Sequence, residues 1–167
     1  ADAVRAELVS KAVSTLTQAD GAKFAAENDA WNKDVCKYTP AVIAQPRTTA
    51  EVGAVVSAAN KFGTRLVIAG GRHGHDCLAD GAVVLDMSKM KKVTVDAAAR
   101  LVTVEGGCKL GDMDRACQPF GLACVTGTNP DTGVVGLSTA GGGGYLTRLH
   151  GMAVDNFHSA EVVTAAG

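Results

Sequence analysis

Apolar positions recur at helical spacing from the start of the chain. Val4, Leu8, Val9, Ala12, Val13 and Leu16 fall on one face and predict a helix over residues 3–16. A polar run from Gln18 to Lys37, centred on Trp31, reads as a short helix plus loop. Ala41-Val42-Ile43-Ala44, closed by Gln45-Pro46, has the look of a short buried strand. Thr48-Thr49-Ala50-Glu51 then forms a capping-box signal, in which a Thr side chain bonds the amide three residues on and Glu51 reaches back. Val52, Val55, Val56 and Ala59 make one apolar helix face, and Gly63 is a natural stop. Arg65 to Ala69 is the next strand. Strand, helix and strand within about thirty residues describe a crossover unit, hence an α+β or α/β domain.

A second apolar run, Ala82-Val83-Val84-Leu85-Asp86, follows a glycine-rich loop. Lys92–Val95 and Leu101–Glu105 alternate in polarity on either side of residues 96–100, which predicts a hairpin. Leu110–Cys117 reads as a helix ended by Pro119 and Gly121, and Leu122–Val125 as a strand. Residues 126–144 read as loop-rich, with six glycines in the last twelve. Ser159–Thr164 reads as a strand leading into a turn at Ala165-Ala166-Gly167. A terminal strand without a neighbour would expose a row of backbone donors and acceptors, so a fragment or one chain of a two-chain protein is expected.

Composition narrows the classes. With 167 residues, 47% of them apolar and 20% charged, the chain has the balance of a globular domain rather than a disordered one. A net charge of -1 with no basic run removes the electrostatic footprint of a nucleic-acid binder. No apolar stretch is long enough to span a bilayer. The compartment, cytoplasmic or secreted, stays open. Five cysteines (Cys36, Cys77, Cys108, Cys117 and Cys124) include no C-x-x-C pair and read as small buried hydrophobes. Twenty glycines with only 4% aromatics require close backbone approach, or another body that fills the space.

Two glycine-rich segments could carry chemistry. In Val67-Ile68-Ala69-Gly70-Gly71-Arg72-His73-Gly74-His75, glycines just after a strand let successive amides turn to one point and cradle an anion. The adjacent imidazole can serve as ligand, base or nucleophile. The second segment runs Gly133-Val134-Val135-Gly136-Leu137-Ser138-Thr139-Ala140 into four consecutive glycines, Gly141 to Gly144. Glycine in regular structure costs roughly 0.5–1 kcal/mol relative to alanine, so a flat partner lying against bare backbone is the expected reason. His73, His75 and Cys77 alternate, and on a strand they would share one face and could bind zinc or copper, although the loop glycines argue against a strand.

The stretch Gly127-Thr128-Asn129-Pro130-Asp131-Thr132-Gly133 through Gly144, continued by Tyr145 to Asn156, resembles the FAD-binding domain of berberine-bridge-enzyme-like oxidases, in the vanillyl-alcohol-oxidase and p-cresol-methylhydroxylase superfamily. Pro40–Ile43 with Pro46, Thr49–Val52, the Gly-Gly-x-His loop, Val84–Met90, Val104–Gly107 and Glu161–Gly167 fall in the family order. The resemblance covers residues 31–167, leaving residues 1–30 as an N-terminal helical segment. It implies an α+β, two-lobed FAD-binding domain with the cofactor between the lobes, cut before its last part and before the substrate domain.

Residue by residue, the resemblance implies a cofactor loop at Ile68, Ala69, Gly70, Gly71, Arg72, His73 and Gly74, with Arg72 adding positive charge near the pyrophosphate. It further implies cofactor contacts at Asn129, Gly133, Val134, Val135, Gly136, Leu137, Gly143 and Val162. His73 occupies the place of the histidine bonded covalently to the flavin, with His75 as fallback. Asn129 stands where many members have a second, cysteine attachment, which implies one bond rather than two; Cys124 is the nearest cysteine to that place. Asp155 and Asn156 read as structural support. The implied function is oxidation of an alcohol, sugar or related small metabolite, with FAD as hydride acceptor and molecular oxygen as reoxidant. No residue reads as the catalytic base, and a second chain or C-terminal remainder is expected to supply the substrate domain. A cofactor-free fragment or binding module of the same fold is the alternative, with a small metal-binding protein behind it.

Overall fold

The computed structural model describes residues 2–34 and 37–167; Cys36 lies outside them. The chain forms two compact units, one of residues up to Lys89 together with Glu161–Gly167, the other Met90–Ala160.

In the first unit, helix α1 (Asp2–Ser10) stops well short of the expected residue 16. Ala12 takes a left-handed φ of 60°. The Ala12 amide bonds Val9 O at 3.0 Å and the Val13 amide bonds Leu8 O at 3.0 Å, a Schellman ending. This frees Ser14–Leu16 (β1) to pair antiparallel with Val42–Gln45 (β2). A sheet partner distant in sequence thus overrides the helical period, and β1 joins the sheet of this unit.

A short helix, α2 (Ala22–Glu27), precedes β2, and α3 (Thr49–Lys61) follows it. Thr48 Oγ1 accepts the Glu51 amide at 3.2 Å, as the capping signal implies, but Glu51 Oε2 reaches past Thr48 to the Arg47 amide at 2.9 Å. Gly63, at φ 59°, lies just past the helix end. The crossover leads to β3 (Leu66–Ala69), and β4 (Val83–Asp86) inserts between β2 and β3, parallel to both. Every residue of β2 and β4 is buried, as expected for parallel strands covered on both faces. Ile43 and Val84 point to a cluster with Phe24, Val67 and Leu78, while α3 packs against β4 and α1.

Ser159–Thr164 lies outside every strand, contrary to expectation. The C-terminal segment is laid along α3 instead: Asn60 Nδ2 donates to Ala165 O at 2.5 Å, and a Cβ on Gly53 would sit 3.0 Å from Gly167 O. A helix satisfies its own backbone and offers no ladder, so a segment docked there cannot become a strand.

In the second unit, β5 (Val93–Asp96) and β6 (Leu101–Val104) form the expected hairpin. Asp96 Oδ1 accepts the Ala99 amide at 2.9 Å, and Arg100 adopts φ 55° to close the turn. Val93, Val95, Val102 and Val104 point inward onto Cys108, Leu110, Met113 and Cys117. Helix α4 (Leu110–Cys117) has the expected bounds. Leu122–Val125 is not a strand. Leu122 and Cys124 still face the core, but their backbone has no ladder to join. Within the loop-rich 126–144 stretch, Val134–Thr139 forms a helix, α5, whose Val134 and Leu137 pack on the same core. Six residues between glycines are too few to show a helical period.

Candidate cofactor-binding site

The two glycine-rich segments belong to different units. In the first, the strand ends β2, β4 and β3 lie side by side, and β3 delivers the loop that begins at Gly70. Ala69 is fully buried while Ile68, its alternate neighbour, is 63% exposed at the sheet edge. Ligands of open parallel sheets bind beyond the carboxyl ends of the strands, and this loop occupies such a place.

Arg72 anchors the loop. Its backbone adopts a left-handed φ of 59°, uncommon for a residue with a side chain. The guanidinium meets Asp86 Oδ2 at 2.8 Å and Glu27 Oε2 at 3.4 Å, and donates to Glu27 O and to Asp29 O, the latter at 3.1 Å. Asp86, the last residue of β4, has no solvent exposure. Gln45 Nε2, from the end of β2, donates to it at 2.8 Å, and Ser88 Oγ at 2.9 Å. The Arg72 charge is thus paired with two protein carboxylates.

The next residue, His73, stacks its ring on Trp31 with centroids 5.3 Å apart and planes at 19°. The Trp31 amide also donates to Arg72 O at 3.0 Å, so one residue holds the loop through both backbone and side chain. His73 Nε2 is buried without a hydrogen-bond partner. Such an atom costs about 1–3 kcal/mol unless something satisfies it. The stack has a direct signature: in Trp31→Ala, the His73 ring-proton resonances should shift downfield as the indole ring current disappears, while Trp31→Phe should retain part of the upfield position.

Beyond His73 the chain turns. His75 and Asp76 are exposed and Cys77 is buried, so the alternation that would form a metal face is broken. No cluster of three metal-ligating side chains occurs among the described residues.

In the second unit, Asn129 Oδ1 accepts the Asp131 amide at 3.0 Å, which makes the turn into Gly133. The Val134 amide bonds Cys108 O at 3.0 Å and ties the start of α5 to the core. Val134 is buried and Val135 is 37% exposed. Three of the four glycines, Gly141, Gly142 and Gly144, pack against protein. A Cβ on Gly144 would lie 1.9 Å from Thr126 O, and one on Gly142 would lie 2.4 Å from Leu137 Cδ2 and 2.8 Å from Ala153 Cβ. Ala153 and Val154 amides bond Gly142 O and Gly141 O at 2.8 and 2.9 Å. Asp155 Oδ2 accepts the Met152 amide, and Asn156 Nδ2 donates to the carbonyls of His150 and Met152, the structural role expected of this pair. The steric demand at Gly142 and Gly144 thus comes from the chain itself, not from a flat partner. Gly136, by contrast, faces open space, and Gly143 is nearly as open. Thr126 Oγ1 is buried without a partner.

Val162 is 71% exposed and lines a groove with Thr49, Gly53 and Ser57 of α3, which no residue of the 68–74 loop lines. Cys124 faces Cys117, its sulfur 3.8 Å from that partner, and burial beside Cys117 pushes its thiol up to about 12. Trp31, Gln45, Asp86 and Thr126 were not legible as site residues; a carboxylate closing the apolar run Val83-Val84-Leu85 was the one signal available.

The family described as FAD binding domain matches residues 40–167. The chain belongs to that family. The solved structure of 6-hydroxy-D-nicotine oxidase from Arthrobacter nicotinovorans superposes with a TM-score of 0.88 at 31% identity, covering 92% of this chain and 34% of that one. Glucooligosaccharide oxidase from Acremonium strictum, described with a 6-S-cysteinyl, 8α-N1-histidyl FAD, gives 0.84 at 30% identity, over 92% and 33% of the two chains. The berberine-bridge-enzyme-like 1 protein of Physcomitrella patens gives 0.85 at 27%, over 91% and 34%. The chain is thus an FAD-binding region of the berberine-bridge-enzyme-like, p-cresol-methylhydroxylase type, as its motifs imply, and it spans about a third of the length of these neighbours.

Each unit, taken separately, offers groups whose chemistry suits such a cofactor. Gly74 and Gly136 expose bare backbone with open space where a Cβ would be. His73 Nε2 and Thr126 Oγ1 are polar atoms still lacking partners. The described residues include no helix long and apolar enough to cross a membrane.

Proposed function

We propose that this chain is the cofactor-holding part of a flavin-dependent oxidase that acts on an alcohol, sugar or related small metabolite, with FAD bonded covalently through His73. The observation that carries the reading is the state of His73: a stacked imidazole with a buried, unpartnered Nε2, on a loop pinned by the Arg72–Asp86 pair. A neutral imidazole has one N–H and one lone pair, so a proton on one ring nitrogen leaves the other nucleophilic. Stacking on Trp31 fixes the plane in which that lone pair lies. The amides of Gly70, Gly71 and Gly74 would receive the pyrophosphate, and Asn129, Gly133, Val134, Val135, Gly136, Leu137 and Gly143 would line the cofactor in the second unit. Ile68, Ala69 and Val162 complete the proposed set.

Bound FAD would supply hydride acceptance, with molecular oxygen as the reoxidant. The polypeptide's share is to hold and orient the cofactor. The 6-S-cysteinyl, 8α-N1-histidyl flavin described for the glucooligosaccharide oxidase supports a histidine attachment here, and Asn129 in place of a second attachment point supports one bond rather than two. The nicotine and oligosaccharide oxidases among the neighbours support small-molecule substrates.

Retention of flavin through denaturing precipitation tests the reading. The wild-type protein should keep its yellow chromophore in the pellet and gain the mass of one FAD. His73→Ala should release the flavin to the supernatant, and His75→Ala should not. A bare polypeptide mass with no flavin bound under native conditions would overturn the assignment in favour of a cofactor-free module.

A further inference from the structure

The geometry points to a cross-linking site in the second unit, in which Cys117 and Cys124 close to a disulfide. Cys117 is the last residue of α4 and is 1% exposed, while Cys124 is half-buried on the segment that follows. Their sulfurs lie 3.8 Å apart, in contact, and both side chains belong to one core cluster. A disulfide requires about 2.05 Å, so the sulfurs must approach by less than the width of an atom.

The chain between them is built to return. Gln118–Phe120 forms one tight turn, and Gly121 adopts φ 63°, which reverses the direction and brings residue 124 back to the helix end. The Leu122 amide bonds Cys117 O at 3.3 Å, so the backbone is already fastened beside the pair. Cys108, the other cysteine of this core, has its sulfur against Lys92 O at 3.4 Å and is not part of the pair. The cross-link would pin Leu122–Val125, a segment without a ladder, immediately before Thr126 and Gly127, where the glycine segment begins.

The oxidant is a low-molecular-weight disulfide such as oxidised glutathione. One protein thiolate attacks it and expels a reduced glutathione thiolate. The second protein sulfur then attacks the mixed disulfide and expels another. Two protein thiols become one disulfide, and one glutathione disulfide becomes two reduced glutathiones. The buried, raised Cys124 thiol makes exchange slow at neutral pH and faster in alkaline buffer, because the thiolate is the nucleophile. Asp114 and Cys117 are the neighbours that add to the burial in holding that thiol protonated.

The test is a peptide map of the wild-type 167-residue chain. The folded chain is incubated with excess oxidised glutathione at mildly alkaline pH, then alkylated under denaturing, non-reducing conditions. Cleavage after Phe120 separates the two cysteines, so their peptides stay joined only through sulfur. The expected result is that joined pair, with Cys108 alkylated, and its separation by reductant. Either Cys117→Ser or Cys124→Ser should abolish it. Full alkylation of both cysteines after oxidation, accumulation of glutathione on either without the joined peptides, or disulfides linking other cysteines instead would each overturn the proposal.

Discussion

Gly144→Ala is expected to disrupt the second unit. The added Cβ would lie 1.9 Å from Thr126 O and 3.0 Å from Thr126 C. Both are backbone atoms, so no rotamer change removes the clash. Overpacking against flexible side chains typically costs about 1–3 kcal/mol, and a rigid backbone obstacle places this change at or above about 3 kcal/mol. Natural domains have about 5–15 kcal/mol to lose, so a large part of the stability would go. Gly136→Ala is the paired control. It lies inside α5 with nothing within 4 Å of the new methyl. It should be neutral, or stabilising by up to about 1 kcal/mol, since alanine favours helix over glycine. Urea melts followed by circular dichroism decide the matter, and equal midpoints for the two variants would refute the packing of Gly144 on Thr126.

The second large effect is expected at Arg72. Asp86 has no exposure, and its charged partner is this guanidinium at 2.8 Å, itself only 14% exposed. Arg72→Met leaves the carboxylate with the Gln45 and Ser88 donors but no counter-charge. Breaking a buried ion pair from one side costs about 3–5 kcal/mol, chiefly because the remaining charge is stranded. Arg72→Lys should recover only part, since an ammonium cannot reproduce the fork that also reaches the carbonyls of Glu27 and Asp29. The double variant Arg72→Met with Asp86→Leu should be more stable than Arg72→Met alone, because it removes the stranded charge. Chemical denaturation of wild type, Arg72→Met, Asp86→Leu and the double variant forms the cycle. A single Arg72→Met variant as stable as wild type would show that the pair does not hold the loop. The same variant should also loosen His73, whose position depends on the residue before it.

Some features were readable because they are local. The cap at Thr48, the stop at Gly63, the hairpin turn at 96–100 and the whole of α4 depend on residues within a few positions of one another. The buried strands β2 and β4 were readable because parallel strands covered on both faces are continuously apolar. Where the reading failed, distant partners had decided. Residues 14–16 keep an apolar spacing compatible with a helix, but β2 captures them. Residues 122–125 and 159–164 have strand composition, and neither finds a ladder. The candidate site divides the same way. His73 was legible from its motif, whereas Trp31, forty-two positions earlier, becomes its neighbour only through the fold.

By itself the sequence determined the family, the order of the motifs and the two glycine-rich segments, because composition and short spacing carry that information directly. Tertiary structure alone decided what those residues do. It turned the Arg72 charge inward onto Asp86, assigned the bulk limits of Gly142 and Gly144 to Leu137, Ala153 and Thr126, and left His73 Nε2 without a partner. The physical reason is that charge pairing, steric exclusion and hydrogen-bond satisfaction are settled within a few ångströms of space, and proximity along the chain does not determine which atoms share that space.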